Sequence, residues 1–304
     1  MDTPNCLSCG HPTTVLCKLD TDELNEVWFR ETGVNTSFEG DILHQLECDN
    51  CGLVQYFPMG DAIGTPSFYD ELTTKNREYI FPVYKEEFRL IGELIGENEK
   101  VLDVGCGSGA LASHLRSSVS YVGIDYSIES CNMGTLGVDL RCETLRDHST
   151  YNIEAYTSVV LSQVLEHVEN PMAFLWEALS VLKPGGHLYI AVPNGDSYLK
   201  YLTNGALNLP PHHVTMWNEK SLDVLAGVAG LTKTFVYEEP LQDVHEQDYV
   251  EAFLYSFGFL RKTPALSSSW YSKTVKKYAR YFKWLVPSSL VLGHSITIEY
   301  RKTK

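Results

Sequence analysis

A short apolar run that enters a glycine-rich loop is the strongest constraint on how this chain folds. Residues 101–109 read VLDVGCGSG, so a segment with the character of a buried strand leads directly into Gly105, Gly107 and Gly109. Such glycines let the backbone pass close to a ligand, and open α/β sheets bind nucleosides where their parallel strands end. The run therefore predicts an α/β fold with a ligand loop after an inner strand.

A second strand supports a nucleoside ligand. Residues 121–124, YVGI, end in Asp125, twenty residues after Gly105. A carboxylate at this place can accept both ribose hydroxyls of a nucleoside. Alternatively, Asp125 caps the next helix, which would explain this residue without explaining the loop.

Three more strands extend the pattern. Residues 142–147, CETLRD, follow the third strand, and residues 162–167, SQVLEH, follow a fourth strand at 157–161. A helix at 171–182 and a KPGG turn at 183–186 lead into a fifth strand at 187–192. Apolar spacing predicts further helices at 85–95 and 110–115. Thr144 and Leu145 are expected beside a bound base, and Ser162 and Gln163 at the edge of the sheet.

The segments VLDVGCGSG, LEHVENP and LKPGGHLYIAVPN resemble, in order and spacing, three motifs of the class I methyltransferases that use S-adenosylmethionine (SAM). The resemblance covers about residues 100–240 and implies a seven-stranded, Rossmann-like sheet. It also implies that Asp103, Gly105 and Gly107 line the methionine end of SAM, and that Gln163 lies beneath the sulfonium. Asp125 would hold the ribose, with Tyr126 and Leu145 on either side of the adenine. The expected cofactor-binding residues are Asp103, Gly105, Cys106, Gly107, Asp125, Tyr126, Thr144, Leu145, Ser162 and Gln163.

Near the N-terminus, two cysteine pairs repeat one pattern. Cys6 and Cys9 precede Gly10, and Cys48 and Cys51 precede Gly52. Two residues between cysteines let both thiolates face one ion, so the four sulfurs predict a closed, tetrahedral Zn²⁺ site with a structural role. Four free thiols are the alternative, and His11 or His44 could replace a ligand. A helix at 20–33 and a strand at 42–46 are expected between the pairs. The doubled pattern resembles small-molecule methyltransferases with an N-terminal zinc ribbon, including the sugar C-methyltransferase group.

Three histidines are candidates for a general base. His212 and His213 follow two prolines in residues 209–215, LPPHHVT, after the fifth strand. A neutral imidazole could take a proton from an attacking hydroxyl or amine. His167 is a third candidate, although it could simply orient its loop. Because the sulfonium is a good leaving group, alignment of the reactants alone could also suffice.

Charge is distributed unevenly along the chain. The formal net charge is -15, which makes nucleic acid an unfavourable partner, yet residues 261–304 hold ten Lys or Arg and one acid. An apolar helical stripe is expected at Val275, Tyr278, Ala279, Phe282 and Leu285. The basic residues beside it suggest a solvated face, an anionic substrate or peripheral membrane contact through 272–286, without stable membrane association.

The sequence as a whole predicts a cytoplasmic enzyme that methylates a small molecule, with an anionic or nucleotide-linked acceptor such as a sugar as one option. The expected divisions are a zinc-binding module at 1–60, a helical linker at 61–98, a SAM-binding domain at 99–240, a helical substrate cover at 241–289 and the final strand at 290–304. An NAD-dependent oxidoreductase is disfavoured because the loop reads GxGxG and not GxGxxG. An RNA methyltransferase or a zinc-ribbon RNA-binding protein remains a further alternative.

Overall fold

The computed structural model describes residues 3–76, 85–127, 137–256, 266, 269–282 and 290–303. By internal contacts the chain forms two compact units. Unit 1 comprises residues 1–77, 193–221 and 238–295, and unit 2 comprises residues 78–192, 222–237 and 296–304. The five divisions expected from the sequence stay a prediction.

The described strands and helices follow each other in a mixed order. They are β1 (Thr13–Asp20), α1 (Thr21–Thr32), β2 (Ile42–Cys48), β3 (Val54–Phe57), α2 (Met59–Ala62), α3 (Pro66–Lys75), α4 (Glu86–Leu94), β4 (Lys100–Val104), β5 (Ser120–Asp125), β6 (Asp139–Cys142), α5 (Leu145–Tyr151), β7 (Tyr156–Ser162), α6 (Pro171–Val181), β8 (Leu182–Pro193), β9 (Thr215–Met216), α7 (Glu219–Val228), β10 (Leu231–Pro240), α8 (Glu246–Ser256), α9 (Ser269–Phe282) and β11 (Leu292–Lys302).

Unit 1 contains a four-stranded sheet in the order β1-β2-β3-β9, with antiparallel neighbours. Helix α1 connects β1 to the loop before β2. Its N-terminus is capped by Asp20, whose side chain accepts hydrogen bonds from the backbone N–H groups of Asp22 and Glu23. Gly33 ends the helix in the left-handed conformation, with φ 73°. The predicted helix at 20–33 is therefore confirmed.

A seven-stranded sheet in the order β10-β11-β8-β7-β4-β5-β6 forms the centre of unit 2. The pairs β4–β5, β4–β7, β5–β6 and β7–β8 are parallel. Helix α4 packs on this sheet through Ile91, which joins Ile95 just after the helix, Val101 and Val160 in a buried apolar cluster. The predicted Rossmann-like fold is confirmed. Because parallel strands end at one edge, the sheet places the loops after β4, β5 and β7 together.

Three local predictions are corrected. The helix expected at 110–115 is a 3-10 turn at Ala110–His114, where the N–H of Leu115 bonds to the carbonyl of Ala112, three residues earlier. The KPGG turn lies within β8, opposite a register shift between Tyr156 and Ser158 in β7. In α9, Val275 and Ala279 are buried as expected, but Tyr278 and Phe282 are exposed. Leu285 lies outside the described residues.

Among the residues that the structure describes, no helix has both the length and the apolar character to cross a membrane.

Candidate cofactor and cysteine sites

The glycine loop after β4 is held to the end of β5 by backbone hydrogen bonds. The N–H groups of Gly105 and Cys106 donate to the carbonyl of Ile124, at 2.8 and 3.1 Å. Gly105 and Gly107 have φ values of 68° and 53°, which residues with a side chain rarely adopt. The loop therefore needs glycine at these positions to reach its neighbour strand.

The Asp125 carboxylate is fixed by the same loop. The N–H of Gly107 donates to Oδ2 at 3.0 Å, and the N–H of Ser127 donates to Oδ1 at 2.8 Å. Burial raises the pKa of Asp125, and these two hydrogen bonds work in the opposite direction. One carboxylate at the end of β5 is thereby presented in a single orientation beside the glycine loop.

Asp103, the third residue of the VLDVGCGSG run, is buried near the end of β4. Its Oδ2 accepts a hydrogen bond from the Tyr121 hydroxyl at 2.7 Å. Burial raises the pKa of Asp103 to about 7. Sequence reasoning missed Tyr121, because a tyrosine in a strand is most simply interpreted as core packing.

A buried histidine stabilises the loop between β6 and α5. His148 is fully buried, and its Nδ1 and Nε2 lie 2.8 Å from Glu143 Oε1 and from the Tyr156 hydroxyl. The backbone N–H of Glu143 also donates to the carbonyl of Asp125, at 3.1 Å. Thr144 is the N-cap of α5, with Leu145 buried behind it. The segment predicted to contact adenine is thus hydrogen-bonded to Asp125, the residue predicted to bind ribose. Tyr126, which is predicted to contact the other side of the adenine, is largely exposed.

Gln163 and Ser162 follow β7, as predicted. Gln163 has φ 56°, and its Nε2 donates to Oε1 of the buried Glu87 at 3.2 Å. Lys85 Nζ lies 3.7 Å from the same Glu87 oxygen. Ser162 Oγ is buried without a hydrogen-bond partner in the described part of the chain. Glu87 was not predicted as a site residue, since nothing in its helical spacing distinguishes it.

The glycine loop, the fixed carboxylate and the polar residues after β7 are features with which α/β folds bind nucleosides. A family model described as a methyltransferase domain matches residues 76–235, more than half of the chain. The chain belongs to the methyltransferase-domain family. Its sheet and loops are those of a class I SAM-dependent methyltransferase domain.

Curated relatives of this methyltransferase domain include proteins named ubiquinone biosynthesis O-methyltransferase. The Vibrio vulnificus protein is 34% identical over 111 residues, which are 33% of this chain and 47% of that protein. The Salmonella arizonae protein is 32% identical over 118 residues, 36% of this chain and 48% of its own length. The chain thus spans about half the length of these relatives.

A solved structure shows the same fold. A SAM-dependent methyltransferase from Archaeoglobus fulgidus superimposes with a TM-score of 0.52 and 15% sequence identity, over 77% of this chain and 100% of the other. At this identity the match concerns the fold alone.

Within unit 2, His167 ends a 3-10 turn at Leu165–His167 that follows Gln163 in the methyltransferase domain. Its Nε2 lies 3.9 Å from Oε1 of Glu166. Burial raises the pKa of Glu166 to about 8, and neither carboxyl oxygen of Glu166 has a hydrogen-bond partner among the described residues. Glu166 is a second buried carboxyl that the sequence did not single out.

His212 and His213 belong to unit 1. Their rings stack with centroids 4.7 Å apart, and His212 also lies against Tyr69, at 5.8 Å, and Trp28, at 6.4 Å. The Trp28 indole donates to the carbonyl of Pro210 at 2.7 Å, which fixes the approach to the histidines. Since His167 is in the other unit, participation of all three histidines in one site stays a prediction.

The four paired cysteines come together in unit 1. Their sulfur atoms all lie within 4.8 Å of one another, with Cys9 Sγ 3.4 Å from Cys48 Sγ and Cys6 Sγ 3.6 Å from Cys51 Sγ. Backbone N–H groups of Ser8 and Asn50 point at the sulfurs of Cys6 and Cys48, each at 3.4 Å. His11 and His44 are outside this group.

Unit 1 also contains a cavity of about 320 Å³ beside α8. Its lining includes Tyr198, Tyr201, Tyr249, Phe253 and Lys200. Its volume lies at the lower end of the range that small-molecule sites span, and its lining is largely aromatic.

Proposed function

We propose that the protein transfers a methyl group from SAM to a small-molecule acceptor. The observation that carries the proposal is the Asp125 carboxylate, held by the N–H groups of Gly107 and Ser127 at the end of β5 in a methyltransferase domain. A carboxylate in this position accepts the ribose hydroxyls of a nucleoside, and glycines let the loop backbone approach a ligand closely.

SAM supplies a methyl group that is bonded to a positively charged sulfur. When a lone pair of the acceptor attacks the methyl carbon, the sulfur leaves as a neutral thioether. The protein then has three tasks: to hold the nucleoside through Asp125, to align the acceptor, and to remove the acceptor's proton. Alignment contributes most where the leaving group is already good.

The proton goes to His212 or His213 in this proposal, with His167 as the third candidate. Trp28 and Tyr69 limit how the His212 ring can turn, which suits a base that must face one direction. Replacing the correct histidine by Ala should lower kcat by roughly two to four orders of magnitude, with SAM affinity unchanged.

Single-turnover rates and SAM titrations of the three single Ala variants check this assignment. A variant with raised acceptor KM and normal kcat would show a substrate-binding residue instead. Normal kcat and KM in all three would exclude a histidine base.

The acceptor in this proposal is a small molecule with a ring and an anionic group. The tyrosine rings of the unit 1 cavity suit a ring, and the Lys200 ammonium, 5.2 Å from the Tyr201 ring, suits an anion. The names of the curated relatives assign them to ubiquinone biosynthesis. A nucleotide-linked sugar is one acceptor that combines rings with an anionic group.

We further propose that the four cysteines bind one structural Zn²⁺. Thiolate sulfur is a preferred zinc ligand, and four protein ligands leave no position for water or substrate. The N–H groups of Ser8 and Asn50 would stabilise the thiolates. The ion would hold the two CxxCG turns together and take no part in methyl transfer.

Calorimetric titration of SAM and S-adenosylhomocysteine tests the proposed function. Asp125→Ala should weaken both by about 100-fold, since two hydrogen bonds to a charged group together contribute about 3 kcal/mol. Asp139→Ala is the matched control, because Asp139 lies on the neighbouring strand and pairs only with the exposed Arg141 in the described chain. Unchanged affinity in Asp125→Ala, or tighter binding of NAD than of SAM, would overturn the assignment.

A further inference from the structure

Helix α9 of unit 1 has an exposed face that the cofactor site does not use. The face that packs inward consists of Ser272, Val275 and Ala279, which are all buried. At 3.6 residues per turn, Trp270, Lys277 and Tyr281 lie on the opposite side of the helix. Trp270 is 71% exposed and Tyr281 is 63% exposed. Large aromatic side chains are therefore directed outward along the whole length of α9.

Basic residues flank these rings. Lys273 and Arg280 project on one side of the Trp270–Tyr281 line, and Tyr278, 53% exposed, projects on the other. Residues 269–282 contain no Asp or Glu. Within the described chain, Lys273, Lys277 and Arg280 form no ion pair, whereas Lys276 at the edge of the face pairs with Glu31. The exposed face thus combines three uncompensated cations with three aromatic rings.

This composition differs from that of the protein as a whole. The chain has a net charge of -15, so a helix face with several cations and no acidic residue is locally distinct. A solvated helix face ordinarily mixes both signs of charge and exposes few large rings. Trp and Tyr, by contrast, are the side chains that concentrate at the boundary between water and lipid.

We propose that the exposed face of α9, formed by Trp270, Lys273, Lys277, Tyr278, Arg280 and Tyr281, binds reversibly to the surface of a membrane that contains anionic lipid. Its cations would contact lipid phosphates, and its rings would enter the headgroup region. A convex helix face fits a planar surface. Single-stranded nucleic acid, which would also attract cations and rings, is bound mainly in grooves.

Vesicle co-sedimentation at low salt tests the proposal. The wild type should bind vesicles of phosphatidylcholine with 30% phosphatidylglycerol and remain in solution with phosphatidylcholine alone. Each removed charge should weaken binding about fivefold, so the Lys273→Gln, Lys277→Gln, Arg280→Gln triple variant should lose about 100-fold. Trp270→Ala with Tyr281→Ala should also bind more weakly. Absence of wild-type binding to the anionic vesicles would overturn the proposal.

A matched control separates this face from general surface effects. Lys183 and Tyr151 are an exposed cation and an exposed ring in unit 2, so Lys183→Gln with Tyr151→Ala should bind vesicles as the wild type does. SAM affinity and thermal melting, measured for every variant, report correct folding independently of lipid. Equal vesicle binding by the triple variant and the control would exclude α9 as the contact.

Fluorescence provides a second measurement that needs no disruptive variant. Brominated phosphatidylcholine mixed into the anionic vesicles should quench wild-type emission more than that of Trp270→Phe. Equal quenching in both would place Trp270 away from lipid and contradict the proposal. Two further results would overturn the membrane proposal. One is stronger binding to a uridine oligonucleotide than to vesicles, and the other is a wild-type dimer that becomes a monomer in the Trp270→Ala, Tyr281→Ala double variant. The latter results would assign the face to RNA or to a second copy of the chain.

Discussion

The cysteine cluster of unit 1 and the glycine loop of unit 2 share one local backbone feature. Each contains glycines with positive φ, and in each, backbone N–H groups point at side-chain acceptors. At the cluster, the N–H groups of Ser8 and Asn50 face cysteine sulfurs. In the loop, the N–H of Gly107 faces the Asp125 carboxylate. The two regions differ in what the acceptors require next.

Four sulfurs within 4.8 Å cannot all be thiolates unless a cation is present. Without an ion, the thiols share protons: the hydrogen bond with Cys6 lowers the pKa of Cys51, and the same contact raises the pKa of Cys6. The loop, in contrast, holds one carboxylate that its own backbone already satisfies. We infer that the cluster needs its ion in order to fold, whereas the loop folds first and then binds its ligand.

The largest expected effect comes from removing cluster ligands. Cys48→Ser with Cys51→Ser should abolish zinc binding and unfold the region around β1–β3, because zinc-binding free energies of about 10 kcal/mol or more stabilise such sites. Elemental analysis and melting curves measure both effects. Cys17→Ser is the control, since Cys17 lies on β1 but outside the cluster and its thiol donates to Gln45. Wild-type protein without metal, or a double variant that melts normally, would contradict the comparison.

Matched glycine substitutions compare the two regions directly. Gly105 and Gly10 have nearly equal φ values of 68° and 71°. A Cβ on Gly105 would lie 2.7 Å from Val164 Cγ2, whereas a Cβ on Gly10 would meet nothing within 4 Å. Gly10→Ala should therefore cost only the backbone strain of about 1 kcal/mol.

Gly105→Ala adds a steric clash to that strain, so we expect about 2–3 kcal/mol of destabilisation and at least tenfold weaker SAM binding. Chemical denaturation and calorimetry measure the two quantities. Equal destabilisation by both variants would show that strain alone sets the cost.

The sequence predicts these regions well wherever function depends on backbone and spacing. Repeated CxxCG turns and the interval between Gly105 and Asp125 are local patterns, and each implies its geometry without knowledge of the rest of the fold. The same holds for α1, whose cap residues Asp20 and Gly33 stand at the predicted ends.

Prediction is weaker where a side chain's partner is distant in sequence. The contacts of Asp103 with Tyr121, and of Gln163 with Glu87, depend on strand register and on helix packing. In α9, periodicity predicts a helix, but Tyr278 and Phe282, which are expected on the buried side, are exposed. Apolar character alone does not distinguish a ring that packs in the core from one that faces outward.

The smallest expected effect is a pH dependence that comes from Asp103, in β4 just before the glycine loop. Burial raises the pKa of Asp103 to about 7, far above its usual value in unfolded chains. Folding therefore favours the neutral form of Asp103. The contribution of Asp103 to the free energy of unfolding is largest below about pH 4 and is lost as the pH rises to 7. SAM binding should respond in the opposite direction. If Asp103 lies at the methionine end of SAM, the α-ammonium group favours the ionised carboxylate.

SAM affinity should thus fall as pH decreases below 7, by up to about tenfold per pH unit, because binding must then displace the carboxyl proton. Above about pH 8 it should fall again, since α-amino groups lose their proton there. Calorimetry between pH 5.5 and 8.5 measures this profile, and Asp103→Asn should bind more weakly with no decline on the acidic side. The same acidic decline in Asp103→Asn would assign it to another group.

Because the cluster needs four thiolates, zinc retention should also fall in acid, but elemental analysis of both proteins should show the same loss. If the wild type and Asp103→Asn differ in the pH dependence of SAM affinity but not in that of zinc content, the two regions titrate independently.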